Sequence, residues 1–246
     1  MSARRHLRGV LSASVVTGLL TLAAIAPSQA QVPPSAAEAQ AYDGLLEAAW
    51  RGDPTRLQTL IAAGADLETR DGRGRTAVHL AAHARQLAAL RLLVQAGAPL
   101  DALDGDRYDA VTIASVAGDL RTLDLLLSLG ASAGQTTSRY DGTALIAAAH
   151  LGHDAVVRRL ITAGAPLDHV NNLHWTAMIE SIVLGDGGVR HQRTLGALID
   201  AGANLQLSDR QGNTPLQLAR ARGYTAMVEQ LQSAGTAGAA GPAATR

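Results

Sequence analysis

The sequence predicts an all-α solenoid in which pairs of short helices stack along one axis. A glycine flanked by small residues recurs about every 33 residues, and a threonine or aspartate recurs in the same phase. Between these two markers, apolar residues fall at helical spacing. Periods of roughly 20 to 50 residues are typical of repeat proteins, whose units bury their hydrophobic faces against neighbouring units. The fold class therefore follows from the period.

Two columns of residues set the register of the repeat. The glycines are separated by 33, 33, 34, 38 and 33 residues, and they are Gly64, Gly97, Gly130, Gly164, Gly202 and Gly235. The second column holds residues that can cap a helix N-terminus, namely Asp43, Thr76, Asp109, Thr143, Thr176 and Thr214. Because both columns keep one phase, residues 42–235 are predicted to form one domain of about six units, with the first and last units as caps.

Each unit is predicted to contain two helices. In the second unit, residues 76–84 carry small and apolar side chains where a first helix would pack against its neighbours. Leu87, Leu90 and Leu93 follow on one face of a second helix. Gly97 then ends this helix, because glycine readily adopts the left-handed conformation. The chain has no Phe, so alanines in the first helices must let neighbouring units approach closely.

Three stretches resemble ankyrin repeats. They are residues 71–82 (DGRGRTAVHLAA), 140–153 (YDGTALIAAAHLGH) and 212–219 (GNTPLQLA). The resemblance covers five to six units and implies an ankyrin-repeat solenoid with β-hairpin-like loops between the helix pairs. It further implies a non-catalytic module that binds another protein. For exported members it also suggests support of stress-defence enzymes such as catalases.

The first thirty residues are predicted to be a secretory signal peptide. Arginines at positions 4, 5 and 8 precede an apolar run from Val10 to Ala26, and the small residues after this run favour cleavage after about Ala30. The adjacent arginines also fit the twin-arginine motif loosely, so general and twin-arginine export both stay open, as does an uncleaved anchor. We expect a mature protein in the bacterial periplasm, with no membrane attachment after cleavage.

The segments that flank the repeats differ from them in composition. Residues 31–41 contain Pro33 and Pro34 and are predicted to be a linker. Residues 236–246 are rich in Ala and Gly and are predicted to be a disordered tail. The repeat domain is thus expected to account for nearly all of the folded chain.

Composition and charge exclude several classes of function. The chain has no Cys, which excludes disulfides, thiolate metal sites and cysteine nucleophiles. Its 21 basic residues are balanced by 21 acidic ones, so a strongly basic nucleic-acid-binding protein is not expected. Removal of residues 1–30 would leave 18 arginines and a net charge of −3. We expect a monomer whose partner is another protein.

Motifs that suggest catalysis or metal binding have structural explanations. Residues 130–134 match G-x-S-x-G, but they follow a predicted helix and not a strand, so Ser132 is not expected to be a nucleophile. His79 and His83 lack the Glu of a zinc-binding H-E-x-x-H motif. The acidic residues of 101–109 form an incomplete calcium loop, since Ser115 occupies the position of its bidentate acid. We predict no enzyme and no cofactor; the alternative is a metal or small-ligand carrier that uses the histidines and this loop.

The predicted binding residues lie in the loops just before the capping column, where the repeat requires few particular residue types. Tyr108, Tyr140 and Trp175 lie on successive loops and are three of only six aromatic residues. Tyr, Trp and Arg contribute most often to interface energy. We therefore predict a partner-binding surface formed by Arg73, Arg75, Arg107, Tyr108, Arg139, Tyr140 and Trp175. The alternative is that each ring only packs against the adjacent loop.

One unit contains an insertion. Residues 185–192 lengthen the connection between the two helices of the fifth unit and produce the spacing of 38. This loop is expected to point outward, where a solenoid tolerates added residues. A neutral insertion and a partner-binding protrusion are both consistent with the sequence.

Overall fold

The computed structural model describes residues 31–239, which form six stacked helix pairs preceded by one short helix. In each pair the first helix packs against the first helices of neighbouring pairs, and the second helix packs against the second helices. The predicted all-α solenoid is confirmed. The predicted signal peptide and the last residues of the predicted tail lie outside the described residues.

The helices of the described residues are α1 (Ala36–Ala41), α2 (Gly44–Arg51), α3 (Pro54–Ala62), α4 (Ala77–His83), α5 (Leu87–Gln95), α6 (Ala110–Val116), α7 (Leu120–Ser128), α8 (Ala144–His150), α9 (Asp154–Thr162), α10 (Ala177–Val183), α11 (Val189–Asp200), α12 (Pro215–Ala221) and α13 (Thr225–Ala239). None of these helices is both long and apolar enough to cross a membrane. Between residues 31 and 239, β pairing is limited to one isolated antiparallel bridge, Thr137 to Gly142.

The capping column begins the first helices as the sequence predicts. The Asp109 carboxylate accepts the N–H of Thr112 at 2.7 Å, and the Thr143 hydroxyl accepts the N–H of Ile146 at 3.3 Å. Thr176 does the same for α10. These bonds satisfy N–H groups that lack partners within the helix, and each stabilises the helix by about 1 kcal/mol.

The core runs continuously along the stack and is built from small and branched side chains. Alanines of the first helices, including Ala81 and Ala148, are fully buried against neighbouring first helices. Leucines of the second helices, including Leu90, Leu126 and Leu160, fill the space between the layers. Each fully buried leucine contributes roughly 1.5–3 kcal/mol of hydrophobic stabilisation. Thus the chain packs a core without phenylalanine.

Backbone hydrogen bonds join each loop to the next. The N–H of Gly105 donates to Arg73 O at 2.8 Å, Ser138 N–H to Arg107 O at 2.7 Å, and Asn172 N–H to Tyr140 O at 2.9 Å. At the first of these contacts, a Cβ on Gly105 would collide with the backbone oxygen of Arg73. Glycine is therefore needed there because two backbones approach closely.

Both flanking segments contain more structure than the sequence suggests. The segment predicted as a linker contains α1, and the Glu38 carboxylate of this helix accepts hydrogen bonds from Ser35 N–H at 2.8 Å and Arg75 Nη2 at 2.9 Å. At the other end, α13 continues through Gly235 to Ala239. Gly235 therefore does not end its helix as the other glycines of its column do, and the predicted tail begins as a helix.

The insertion does not form the outward loop expected from the sequence. Much of it extends α11, and the remainder packs against neighbouring units. His191 is buried, with Nε2 2.9 Å from His150 O and Nδ1 2.8 Å from Asp186 Oδ1. The Tyr224 hydroxyl donates to Gly185 O at 2.8 Å. These contacts give the insertion a structural role and argue against a free binding protrusion.

Replacement of Ala148 by Gln tests the packing of the first helices. Ala148 is fully buried, so we expect the longer polar side chain to lower the free energy of unfolding by about 3 kcal/mol or more. Ala88→Gln, at an exposed position of α5, is the matched control and should change it by less than about 0.5 kcal/mol. Urea unfolding followed by circular dichroism measures both, and equal midpoints would contradict this assignment of faces.

Candidate functional site

Arg75 cannot belong to the predicted binding surface. Its side chain is 2% exposed, and its guanidinium binds the Asp71 carboxylate at 2.7 Å, the Glu38 carboxylate at 2.9 Å and the Tyr42 hydroxyl at 3.0 Å. Arg75 thus joins α1 to the second unit. Its sequence position resembles those of the exposed loop arginines, and only the packing of α1 over it shows the difference.

The other predicted arginines lie at the surface but are paired within the protein. Arg107 binds Asp141 and Arg139 binds Asp106, each at 3.0 Å, so two ion pairs connect the third and fourth loops. Arg73 binds Glu38 at 2.9 Å. Exposed pairs of this kind contribute roughly 0–1 kcal/mol, and a partner could exchange them at little cost. The arginines are accessible, but each already has a counter-ion.

The predicted aromatic residues occupy three different environments. Tyr140 is exposed, whereas Tyr108 and Trp175 are partly buried. Tyr108 and Tyr140 line one cavity on the side of the loops and first helices. Trp175 is absent from the lining of that cavity. The structure therefore brings together two of the three aromatic residues that the sequence predicts.

Most acidic residues of the loops organise the loop backbone. The Asp104 carboxylate accepts the N–H groups of Asp106 and Tyr108 at 2.9 and 2.8 Å. Asp71 and Asp209 accept two backbone N–H groups in the same way. The acidic loop is thus explained by local hydrogen bonding. The described residues contain no group of three or more His, Asp or Glu side chains placed to hold a metal ion.

The histidines mostly bond to backbone groups. His79 Nδ1 accepts the N–H of Thr76 at 3.1 Å, so Nε2 carries the proton and donates to Tyr108 O at 3.0 Å. His153 Nε2 lies 3.0 Å from Val116 O in an equivalent contact between units. Burial lowers the pKa of His79 and His153, and it lowers the pKa of His83 to about 4. Neutral rings therefore connect neighbouring units.

Ser132 of the G-x-S-x-G match has no catalytic environment. Its hydroxyl oxygen accepts the N–H of Gly134 at 3.2 Å, and its own N–H donates to Asp101 at 3.2 Å. Both contacts stabilise the turn that follows Gly130. This geometry agrees with the structural role predicted for Ser132.

A cavity of about 60 Å³ lies on the side of the loops and first helices, at the fourth unit. Its walls come from α6, α8, α10 and the loops before them, and they include Tyr108, Thr137, Tyr140, Thr143, Ile146, His150, Asn171 and Glu180. The second helices contribute no residue to this lining. The cavity therefore combines aromatic rings, hydroxyl groups and one carboxyl group on the face predicted to bind a partner.

Glu180 is the unusual residue of this cavity, and the sequence analysis missed it. It follows the capping Thr176 by four residues, where other internal units carry Leu80, Ile113 and Ala147 and the last carries Leu218. The first unit has Glu47 there, which is paired with arginines, so a charged residue in this column of an internal unit was the signal that could have found Glu180. Glu180 is 6% exposed, and burial raises its pKa to about 7.

Two neighbours stabilise the Glu180 side chain. Asn171 Nδ2 donates to Oε1 at 2.9 Å. The column of Asn171 carries Asp71, Asp104 and Asp209 in other units, and an amide at this place can donate to a carboxylate, whereas an ionised aspartate cannot. His150 Nδ1 lies 3.5 Å from Oε2, which is long for a hydrogen bond. Burial lowers the pKa of His150, so both members of this contact favour their neutral forms.

A second, more open groove lies between the second helices. It has a volume of about 660 Å³ and is bordered by Arg158, Arg193, Gly196 and Gln230 among others. Gly196 is a helix residue without a side chain, which leaves space between α11 and α13. The groove contains none of the binding residues that the sequence predicts, and its charged side chains lie at the rim of an open surface.

The stacked helix pairs and their loop-lined face define a helical repeat protein. The family described as "Ankyrin repeats (3 copies)" matches residues 45–137, 113–209 and 145–239. The chain belongs to the ankyrin-repeat family. Proteins of this family are generally protein–protein interaction modules and typically non-catalytic.

Individual relatives have the same architecture. The chain is 34% identical to the ankyrin repeat protein YahD of Escherichia coli (strain K12), over 77% of this chain and 94% of YahD. It is similar to the crystal structure of an ankyrin repeat domain from Acinetobacter baumannii AYE, with a TM-score of 0.73, 40% identity and coverage of 78% and 97%. The ankyrin repeat protein EF0377 is similar with a TM-score of 0.72, 27% identity and coverage of 78% and 98%.

Replacement of Glu180 by Gln should change the pH dependence of stability. Because the pKa of Glu180 is raised to about 7 in the fold, the folded chain holds a proton between about pH 4.5 and 7 that the unfolded chain releases. Glu180 therefore makes stability fall as the pH rises through this window. Gln resembles the neutral acid, so E180Q should gain stability relative to the wild type between pH 5 and pH 8, on the order of 2 kcal/mol.

The difference in the free energy of unfolding between wild type and E180Q isolates the contribution of Glu180 from that of other titratable groups. The histidines with lowered pKa act in the opposite direction, since they make stability fall as the pH drops below about 6.5, and those that do not contact Glu180, such as His83 and His153, contribute equally in E180Q. Urea unfolding at pH 5, 6.5 and 8 gives the required free energies. Glu229→Gln, on the exposed face of α13, is the control. If the free energy of unfolding depends on pH in the same way in wild type and E180Q, the pKa of Glu180 is not raised in the fold.

Proposed function

We propose that the protein is a non-catalytic binding module that recognises another protein through its loops and first helices. One observation carries this proposal: the cavity at the fourth unit joins Tyr108, Tyr140 and the Glu180 carboxyl group on one face. Exposed Tyr140 and buried polar groups at the same place are what a hot spot of an interface requires. The general role of ankyrin repeats in protein binding supports this class of function.

We further propose that the protein acts in the bacterial periplasm as a monomer. The support is the layout of residues 1–30, with three arginines before an apolar run and small residues before about Ala30. The resemblance stated above adds a stress-defence enzyme as one kind of partner in that compartment. The proposal concerns location and partner class, and both can be tested separately.

An enzyme is the competing class, because a carboxyl group with a raised pKa beside a histidine also occurs in active sites. The nearby hydroxyl groups are engaged otherwise: Ser138 Oγ accepts the Tyr140 N–H at 3.2 Å, and Thr143 caps α8. Thr112 and Thr137 bond to each other at 3.2 Å. Neither the Ser138 nor the Thr143 hydroxyl is bonded to His150 as a nucleophile would be to its base, so the arrangement favours binding over catalysis.

Combined replacement of Tyr108, Tyr140 and Trp175 by Ala tests the binding face. We expect the variant to remain folded and to lose capture of its partner from a periplasmic extract of the native host by at least about tenfold. The matched control replaces Gln58, Arg91 and Arg121 by Ala, since all three are exposed on second helices. Equal capture by both variants, with both folded, would show that the partner does not use this face.

Export is tested by cell fractionation of the full chain and sequencing of its mature N-terminus. We expect the protein in the periplasmic fraction, with cleavage after about Ala30. Replacement of Arg4 and Arg5 by Lys distinguishes the routes, because twin-arginine export depends on that pair and general export only needs positive charge. Retention of uncleaved protein in the cytoplasm would contradict the proposed location.

A further inference from the structure

The cavity at the fourth unit exists because two columns change to small residues there. In the column before the capping residue, Gly142 replaces the aromatic side chains that Tyr108 and Trp175 place in neighbouring units. In the column four residues after it, Ala147 takes the place of Leu80 and Ile113. Gly142 and Ala147 both line the cavity. Space is therefore left between two units where other units fill it with side chains.

The backbone does not require glycine at position 142. Gly142 is not among the residues with a positive φ angle. A Cβ at this position would lie 3.5 Å from Ser138 Oγ and 3.8 Å from Ile146 Cγ2, which are ordinary contacts. Larger residues are thus compatible with the local conformation, and the missing side chain serves to keep the cavity open.

Glu180 gives this cavity a carboxyl group whose charged form has no arginine partner within the described residues, so a cation that entered the cavity would favour the ionised form. Oε1 accepts the hydrogen bond from Asn171, while Oε2 lies 3.5 Å from His150 Nδ1. The arginines of the adjacent loops, Arg107 and Arg139, are bound to Asp141 and Asp106. No cation of the protein is therefore paired with Glu180 within residues 31–239, apart from the ring of His150 when it is protonated.

The remaining walls match a planar cation. Tyr108 and Tyr140 contribute aromatic side chains, and the hydroxyl oxygens of Thr137, Ser138 and Thr143 can each accept a further hydrogen bond. A guanidinium group stacks on aromatic rings, binds a carboxylate with two parallel bonds and retains donors for hydroxyl groups. A lysine ammonium is more strongly hydrated and offers no planar surface. The chemistry of the cavity thus favours arginine over lysine.

We propose that this cavity is an anchor site for one arginine side chain of the protein partner. The arginine enters between the loops of the third and fourth units, lies against Tyr108 and Tyr140, and forms its ion pair with Glu180. This inference rests on the proposed function, since it names the chemistry that the partner presents to the binding face. The partner is therefore a protein with an exposed arginine in an accessible loop or terminus.

The test is an NMR titration of the folded protein with N-acetyl-arginine amide, observing the amide signals of residues 137–143. N-acetyl-citrulline amide is the neutral control probe, because it has nearly the same shape without the charge. We expect the arginine probe to shift these signals with a dissociation constant on the order of 1–10 mM, and citrulline to bind at least about tenfold more weakly. Equal affinity of the two probes, or no shift at residues 137–143, overturns the proposal.

Variants separate the anchor from general effects on folding. Glu180→Gln removes the charge, and Gly142→Leu fills the cavity, so both should abolish the response to the arginine probe. Gly142→Ala checks that a side chain is tolerated at this backbone position, and the exposed Glu229→Gln should bind like the wild type. An unchanged response in folded E180Q contradicts the anchor even if Gly142→Leu fails to fold.

The titration needs no partner, so it is independent of the capture experiment. If the aromatic triple variant loses capture while E180Q keeps both capture and the response to arginine, the binding face stands and the anchor is wrong. If the arginine probe binds as expected but the triple variant captures the partner normally, the cavity binds arginine but the partner does not use it, so both the proposed binding face and the partner anchor are wrong.

Discussion

The close approach of neighbouring first helices is the constraint on which the rest of the structure depends. Buried alanines such as Ala81 and Ala148 set that distance, because larger side chains would separate the units. At this distance the loops can form backbone hydrogen bonds from unit to unit, as Gly105 does with Arg73. The second helices then close the core with leucine. The positions of the loops, of the cavity and of the proposed binding face all depend on the distance between neighbouring first helices.

Polar side chains also stabilise the stack, because they form hydrogen bonds between neighbouring units. Histidines such as the buried His79 and the partly buried His153 bond to backbone carbonyls of adjacent units, and burial lowers the pKa of both, which favours neutral rings. The insertion of the fifth unit follows the same rule, since His191 lies within hydrogen-bonding distance of the carbonyl oxygen of His150. These histidines thus connect neighbouring units, and the described residues contain no cluster of three or more His, Asp or Glu side chains placed to hold a metal ion.

The Glu180 cavity departs from the packing pattern of the other units. A buried carboxyl group in an apolar column lowers stability when it is charged, and the amide of Asn171 offsets only part of that effect. Gly142 and Ala147 weaken the packing of the same unit further, because they leave a space that side chains fill elsewhere. Residues that oppose the packing rules of their own repeat are expected where a protein meets a ligand. This physical conflict supports the proposal that the cavity takes part in recognition.

The sequence by itself determined the all-α solenoid, its register and the starts of its helices, because period, capping residues and glycine stops are local signals. It also placed Tyr108 and Tyr140 on successive loops, and both line one cavity. Only the tertiary structure decided that Arg75 is buried under α1, that the insertion packs inward at His191, and that Glu180 lies in a cavity. Those outcomes depend on contacts between residues about thirty or more positions apart, whose distances and burial no local pattern specifies.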